Sequence, residues 1–194
     1  VQDVLVGDRK IMQIAPHIEP GLTTQVIDCR GKIVTAGFVD AHVHIESSMV
    51  LPQTFGAAVL AQGTTTVIAD PHELVNVSGV DGLTRFLEEA SQAPIDIFTV
   101  VPSSVPATPF DTNGAGQVMA QDMQPLVHRD DIVGLGEVMC FCDVVNGKKH
   151  ILDKIALFKD KTVNKTIDGH TAGMPEDWLE AYVKAGVQND HECI

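Results

Sequence analysis

Histidines and carboxylates recur in this sequence where short apolar runs end. His42 and His44 close the run 38–45 as V-D-A-H-V-H, and Asp70, His72 and Glu73 follow the run 64–69. Ser103 and Ser104 follow 95–101, Glu137 closes 132–138, His170 follows 164–168 and His191 follows 187–190. A lone histidine at a strand end is more often a packed, hydrogen-bonded residue than a ligand. Five run ends that each carry a histidine or glutamate point to a shared task. In a strand the i, i+2 pair His42 and His44 faces one way, so both imidazoles can reach one metal ion. Glu137 stands behind Gly134-Leu135-Gly136 at the end of an apolar run. Burying its charge costs several kcal/mol unless it is paired or metal-bound. Its two oxygens can bridge two cations, and His170 and His191 add nitrogen donors from two further strands. Four histidines and one glutamate form a mixed nitrogen and oxygen set, suited to Zn2+, Mn2+ or Fe2+ rather than Ca2+. Such a centre lowers the pKa of bound water toward about 7 and supplies hydroxide as a nucleophile.

Other residues near these ends have more than one reading. Asp70, His72 and Glu73 could support the ligands from behind, form a further metal site or shuttle protons. They could equally open a helix, whose N-terminus favours carboxylates. Glu46 and Ser47, just after the histidine pair, either face a substrate or cap a helix, and capping is the commoner role. Ser103 and Ser104 are placed near the substrate. Glu192 is a candidate general acid or base if the last strand has ended before it, since adjacent strand residues face opposite ways. Cys140 and Cys142 suit small core positions better than ligation.

The elements that must position these residues follow from periodicity. Between the runs lie helical patterns: Phe55, Val59 and Leu60; Leu83, Phe86 and Leu87 behind a candidate Ser78 cap; Ile151, Ile155 and Phe158; Trp178, Tyr182 and Val183. Strand and helix alternate about every 25–40 residues, which predicts an α/β chain with parallel strands. In a parallel barrel, sites form at the C-terminal strand ends. Six such strands are countable in 194 residues, whereas a (β/α)8 barrel needs eight strands and about 250 residues. The expected fold is thus an incomplete (β/α)8 TIM-like barrel of about six βα units over residues 36–194. Residues 1–35 read as part of a small β-sandwich, with strands at 25–29 and 32–35 following a first hairpin. The absence of an initiator Met suggests a chain cut at the front.

Composition narrows the function. Lys and Arg total 13 against 26 Asp and Glu, a net charge of −13 that disfavours nucleic acid and anionic membranes as partners. No run reaches the roughly 18–20 apolar residues of a membrane span, and no leader peptide is visible. Four cysteines without a CxxC read as reduced thiols of a cytoplasmic protein. No phosphate-binding glycine loop, G-x-S-x-G elbow or P-C-x-x-C zinc-deaminase signature occurs.

At these residues the chain resembles the metal-dependent amidohydrolase superfamily. The pieces G-F-V-D-A-H-V-H-I-E-S-S-M (37–49), G-T-T-T-V-I-A-D-P-H-E (63–73), V-P-S-S-V-P-A-T-P (101–109), G-L-G-E-V-M (134–139), I-D-G-H (167–170) and N-D-H-E-C (189–193) are similar to its adenine deaminase family. They run in order from about residue 25 to the end. The resemblance implies hydrolysis of adenine, a small purine base, to hypoxanthine and ammonia at a binuclear Mn2+ or Fe2+ centre. It implies that His42 and His44 bind one metal, that His170 and His191 bind the second, and that Glu137 bridges them. Glu137, His191 and Glu192 are then the catalytic residues. It further implies a homo-oligomer in the full-length enzyme, a metal-binding Asp from an eighth strand and a long C-terminal region. This sequence ends at Ile194, after the sixth strand, so it reads as an N-terminal portion. Cyclic-amide hydrolases of the same superfamily, such as dihydroorotase or allantoinase, are the alternative. They bridge their metals through a carboxylated lysine, and no lysine lies within 131–141. A fragment that binds metal without turnover is the other alternative.

Overall fold

A computed structural model describes residues 2–22, 24–108 and 110–192, which fall into two compact units divided between Ala36 and Gly37. In the first unit, β1 (Asp3–Gly7) pairs antiparallel with β2 (Lys10–Ala15). The turn uses Asp8 and Arg9 at φ 49° and 61°, a conformation that Asp tolerates better than most residues. The segments 25–29 and 32–35 do not form the expected strands. Their backbone closes a local turn instead, with Lys32 N–H donating to the Cys29 carbonyl at 3.0 Å. Alternating apolar residues favour a strand only where a partner supplies the ladder. Val26, Ile27, Ile33 and Val34 all remain exposed, with no partner among the described residues.

The second unit is a six-stranded parallel sheet in strict sequence order, β3 (Phe38–Val43), β4 (Thr64–Ala69), β5 (Asp96–Val101), β6 (Ile132–Val138), β7 (Thr166–Gly169) and β8 (Asn189–Asp190). It curves into a half-barrel. The crossovers carry α1 (Pro52–Leu60), α2 (His72–Ala90), α3 (Ala120–Met123), α4 (Phe141–Val145), α5 (Lys149–Lys159) and α6 (Leu179–Ala185). Val67, Leu135 and Ile167 of the sheet share one core with Leu83, Phe86 and Leu87 of α2 and Ile151, Ile155 and Phe158 of α5. Each buried aliphatic side chain contributes about 1.5–3 kcal/mol. Among the described residues, no helix is long and apolar enough to cross a membrane.

Three local expectations change. Helix α2 begins at His72, and Ser78 does not cap it: its hydroxyl donates back to the Leu74 carbonyl at 2.8 Å. The break falls one residue later, at Gly79, whose φ of 65° and ψ of −158° only glycine adopts readily. The run 164–168 becomes a strand at Thr166, because Asn164 has a φ of 46° that no strand residue takes. In α6 Tyr182 is buried but Val183 is exposed.

Candidate metal centre

Strand β6 is buried along almost its whole length and delivers Glu137 to the middle of the C-terminal mouth. Its backbone is held on both sides. Glu137 N–H donates to Asp70 Oδ2 at 2.9 Å, and Ser103 Oγ donates to the Glu137 carbonyl at 2.6 Å. Gly136 is required here, since a Cβ would run into the Asp70 carboxylate.

Five histidines surround the Glu137 carboxylate. From the end of β3, His42 Nε2 and His44 Nε2 lie 3.1 Å apart, and His44 Nε2 is 3.6 Å from Glu137 Oε1. On the other side, His170 Nδ1 is 2.8 Å and His191 Nε2 3.3 Å from Glu137 Oε2. Each carboxylate oxygen therefore faces its own histidines. Donors that share one cation at about 2.1 Å stand about 3.0–3.4 Å apart, close to these separations. His72, the first residue of α2, brings Nε2 to 3.0 Å from Glu137 Oε1. Glu192 Oε1 lies 3.0 Å from His170 Nδ1 and 3.6 Å from His191 Nε2. This follows from β8 ending at Asp190, so that Glu192 is free of the strand's alternation.

The candidate ligands are held from behind. His44 Nδ1 donates to the Asp70 carbonyl at 2.7 Å, which leaves Nε2 for the centre. Tyr182 takes the His170 N–H at 3.1 Å and donates to the Val138 carbonyl at 2.7 Å, locking the end of β7 to β6. Asp168 faces the Nδ1 atoms of both His42 and His191.

The electrostatics keep an ionised carboxylate among imidazoles, a set that could hold a cation. Burial alone would raise the Glu137 carboxyl, yet the His72 hydrogen bond and the fields of His72, His44 and His170 pull it down to about 2. Burial lowers the His72 imidazole, but Glu137 and Asp70 outweigh this and lift it to about 9. Burial pushes Asp70 up to about 7, and its Oδ1 has no partner. A mixed set of imidazoles around an ionised carboxylate, with an orphaned buried carboxylate oxygen close by, fits divalent cations of the Zn2+, Mn2+ and Fe2+ type.

Glu46 and Ser47 stand outside these donor sets. Glu46 Oε1 accepts from the N–H groups of Glu73 and Leu74 at 3.1 and 3.4 Å, which satisfies the start of α2. Ser47 Oγ donates to Glu73 Oε1 at 2.8 Å. Burial and the neighbouring Glu73 raise the Glu46 carboxyl. Glu73 reaches the centre's edge, its Oε2 3.9 Å from both His44 Nδ1 and His72 Nε2. Ser103 and Ser104 lie beneath the centre rather than open to a substrate. Both are buried, and their hydroxyls engage the Glu137 carbonyl and Cys140 Sγ. Sequence reasoning missed Asp168, Tyr182 and Lys154. Asp168 was findable, being an acid two residues before His170 on a short apolar strand. So was Lys154, which interrupts the apolar stripe of Ile151, Ile155 and Phe158.

A parallel half-barrel with nitrogen and oxygen donors converging at its C-terminal mouth has the architecture of metal-dependent hydrolases. The chain belongs to the amidohydrolase family, whose pattern matches residues 33–194, and that membership implies a divalent metal. It is 45% identical over 192 residues to the adenine deaminase of Lysinibacillus sphaericus, covering 99% of this chain and 32% of that one. It is 45% identical over 167 residues to the adenine deaminase of Clostridium acetobutylicum, covering 86% and 29%. With the Methanothermobacter thermautotrophicus adenine deaminase the identity is 43% over 162 residues, covering 84% and 30%. The chain thus spans about a third of the length of these curated relatives. A prolidase crystallised with N-methylphosphonate-L-proline shares the fold at a TM-score of 0.57 and 18% identity, covering 97% of this chain and 55% of that one.

Proposed function

We propose that this chain carries the metal centre of an enzyme that hydrolyses adenine to hypoxanthine and ammonia. The observation that carries the reading is the Glu137 carboxylate, with one oxygen toward His44 and the other toward His170 and His191. Identity of 43–45% to proteins named adenine deaminase supports the substrate. His42, His44 and Glu137 Oε1 would hold one cation, and His170, His191 and Glu137 Oε2 the other. Mn2+ or Fe2+ is the proposed metal, with Zn2+ also suited to the donors. Bound there, the cations supply Lewis acidity that lowers the pKa of water and polarises the amidine carbon.

The residues of the chain do the rest. Glu137 holds its negative charge between the two sites. Conversion of adenine and water to hypoxanthine and ammonia moves protons from the water to the departing amine. Glu192, at the rim beside His170 and His191, is placed to accept a proton and return it to the leaving nitrogen. Free thiols at Cys29, Cys140 and Cys142 accord with work in the reducing cytoplasm. Ammonia release from adenine by the full-length gene product, with Mn2+ or Fe2+ supplied, tests the reading. Ammonia and hypoxanthine in equal amounts, lost on chelation, are expected. A cation-loaded protein that leaves adenine intact contradicts the substrate, and failure to take up cations contradicts the centre.

A further inference from the structure

Asp168 is buried on β7 and holds no place in either proposed donor set. Its Oδ1 is fixed by the Asn189 side-chain amide at 2.8 Å and by the Gly169 N–H at 3.0 Å. Its Oδ2 is turned the other way. There it accepts from His191 Nδ1 at 3.1 Å and lies 3.3 Å from His42 Nδ1. The His42 and His191 rings stack on one another, 3.6 Å between centroids and 9° from parallel. These histidines come from opposite edges of the sheet, His42 from β3 and His191 from just beyond β8. One carboxylate oxygen thus addresses a histidine from each donor set.

We infer that Asp168 is a positioning residue shared by the two cation sites, holding His42 and His191 so that each presents Nε2 to its metal. This rests on the metal reading above. A carboxylate oxygen offers lone pairs to both Nδ1–H groups and no hydrogen of its own, so both rings keep the proton on Nδ1 and the free electron pair on Nε2. The Asn189 and Gly169 donors stop the carboxylate from rotating to serve one ring alone. Because the same atom holds both rings, removing it disturbs both sites together. His44 and His170 are aimed by other groups, the Asp70 carbonyl and the Tyr182-anchored end of β7, and do not depend on Asp168.

The test is Mn2+ titration of the metal-free full chain and of Asp168→Asn, followed by calorimetry and by the resonance signal of free Mn2+. Melting temperatures of both proteins are recorded without metal. The asparagine keeps the size but turns an N–H2 toward at least one imidazole, which forces a ring to change tautomer. The expected result is unchanged stoichiometry, affinity lowered about 10–100-fold at both sites, and a metal-free melting temperature close to that of the parent. Weakening at one site alone overturns the shared role. A stoichiometry lowered by one cation, with the rest bound as before, shows Asp168 to be a ligand itself and also overturns it. A lower melting temperature with unchanged affinity reduces Asp168 to a structural residue. If the parent chain takes up no Mn2+ while Asp168→Asn melts as the parent does, it is the metal reading that has failed, and this inference falls with it.

Discussion

Strand β6 lies between β5 and β7 and is buried along nearly its whole length, whereas β3 has β4 as its one neighbour among the described residues and exposes Phe38 and Val39. Both end on the candidate metal centre. On β6 the backbone does the positioning, through the bonds from Glu137 N–H to Asp70 and from Ser103 to the Glu137 carbonyl. The pairings of β6 with β5 and with β7 slip register once each, and on β3 the pairing with β4 slips twice, between Phe38 and Val39 and between Asp40 and Val43. Its histidines are aimed instead at their far ends, His44 by the Asp70 carbonyl and His42 by Asp168. The candidate ligand on the buried strand has its backbone held in place, whereas those on the exposed strand have their rings held, by Asp70 just after β4 and by Asp168 of β7.

This contrast predicts a graded set of responses. The largest is at Glu137. Glu137→Ala removes the carboxylate shared by both donor sets, so bound metal falls to background after dialysis; retention of a full complement would mean that the histidines suffice. Next comes the strand beneath it. Leu135 is fully buried, and Leu135→Ala costs about 2–5 kcal/mol in denaturant unfolding. A loss no larger than that of an exposed substitution would show that β6 is not the rigid element assumed here.

A subtler response comes from Lys154, only 3 % exposed, whose Nζ donates to the Ser103 carbonyl at 2.6 Å below the centre. Burial pulls its ammonium down to about 8, against an ordinary value of about 10.4. Between these pH values the unfolded chain binds a proton that the folded chain has released, so the fold gains stability as pH rises. Lys154→Met removes that gain. The difference in melting temperature, parent minus variant, should grow from pH 8 to pH 10, and a flat difference would place the ammonium in water. The smallest response belongs to β3. Phe38 is 62 % exposed, and Phe38→Ala should change stability by no more than about 0.5 kcal/mol, as read from the unfolding midpoint.

The same contrast explains what the sequence discloses. The runs 64–69 and 132–138 are strands with those bounds: Thr64 to Ile68 are β-branched throughout and favour extended backbone, and 132–138 is buried along nearly its whole length. The candidate ligands are visible too, since histidines and an acid at the ends of such runs are chemically costly there. What stays hidden depends on long-range partners. The segments 25–29 and 32–35 carry a strand's composition without the strand. Ser103 and Ser104 look like substrate-facing hydroxyls until their partners, the Glu137 carbonyl and Cys140, come alongside from residues 34 and 36 positions away. Asp168 has a readable position but not a readable target, because His42 and His191 meet only when the sheet curves.

Counting the cations bound by the full chain tests the central claim most directly, alongside His44→Ala and His170→Ala. Two donor sets that share Glu137 predict two cations per chain, with one tightly bound cation retained by each variant. A single cation in the parent, or variants that both keep two, would contradict a centre divided between the oxygens of Glu137.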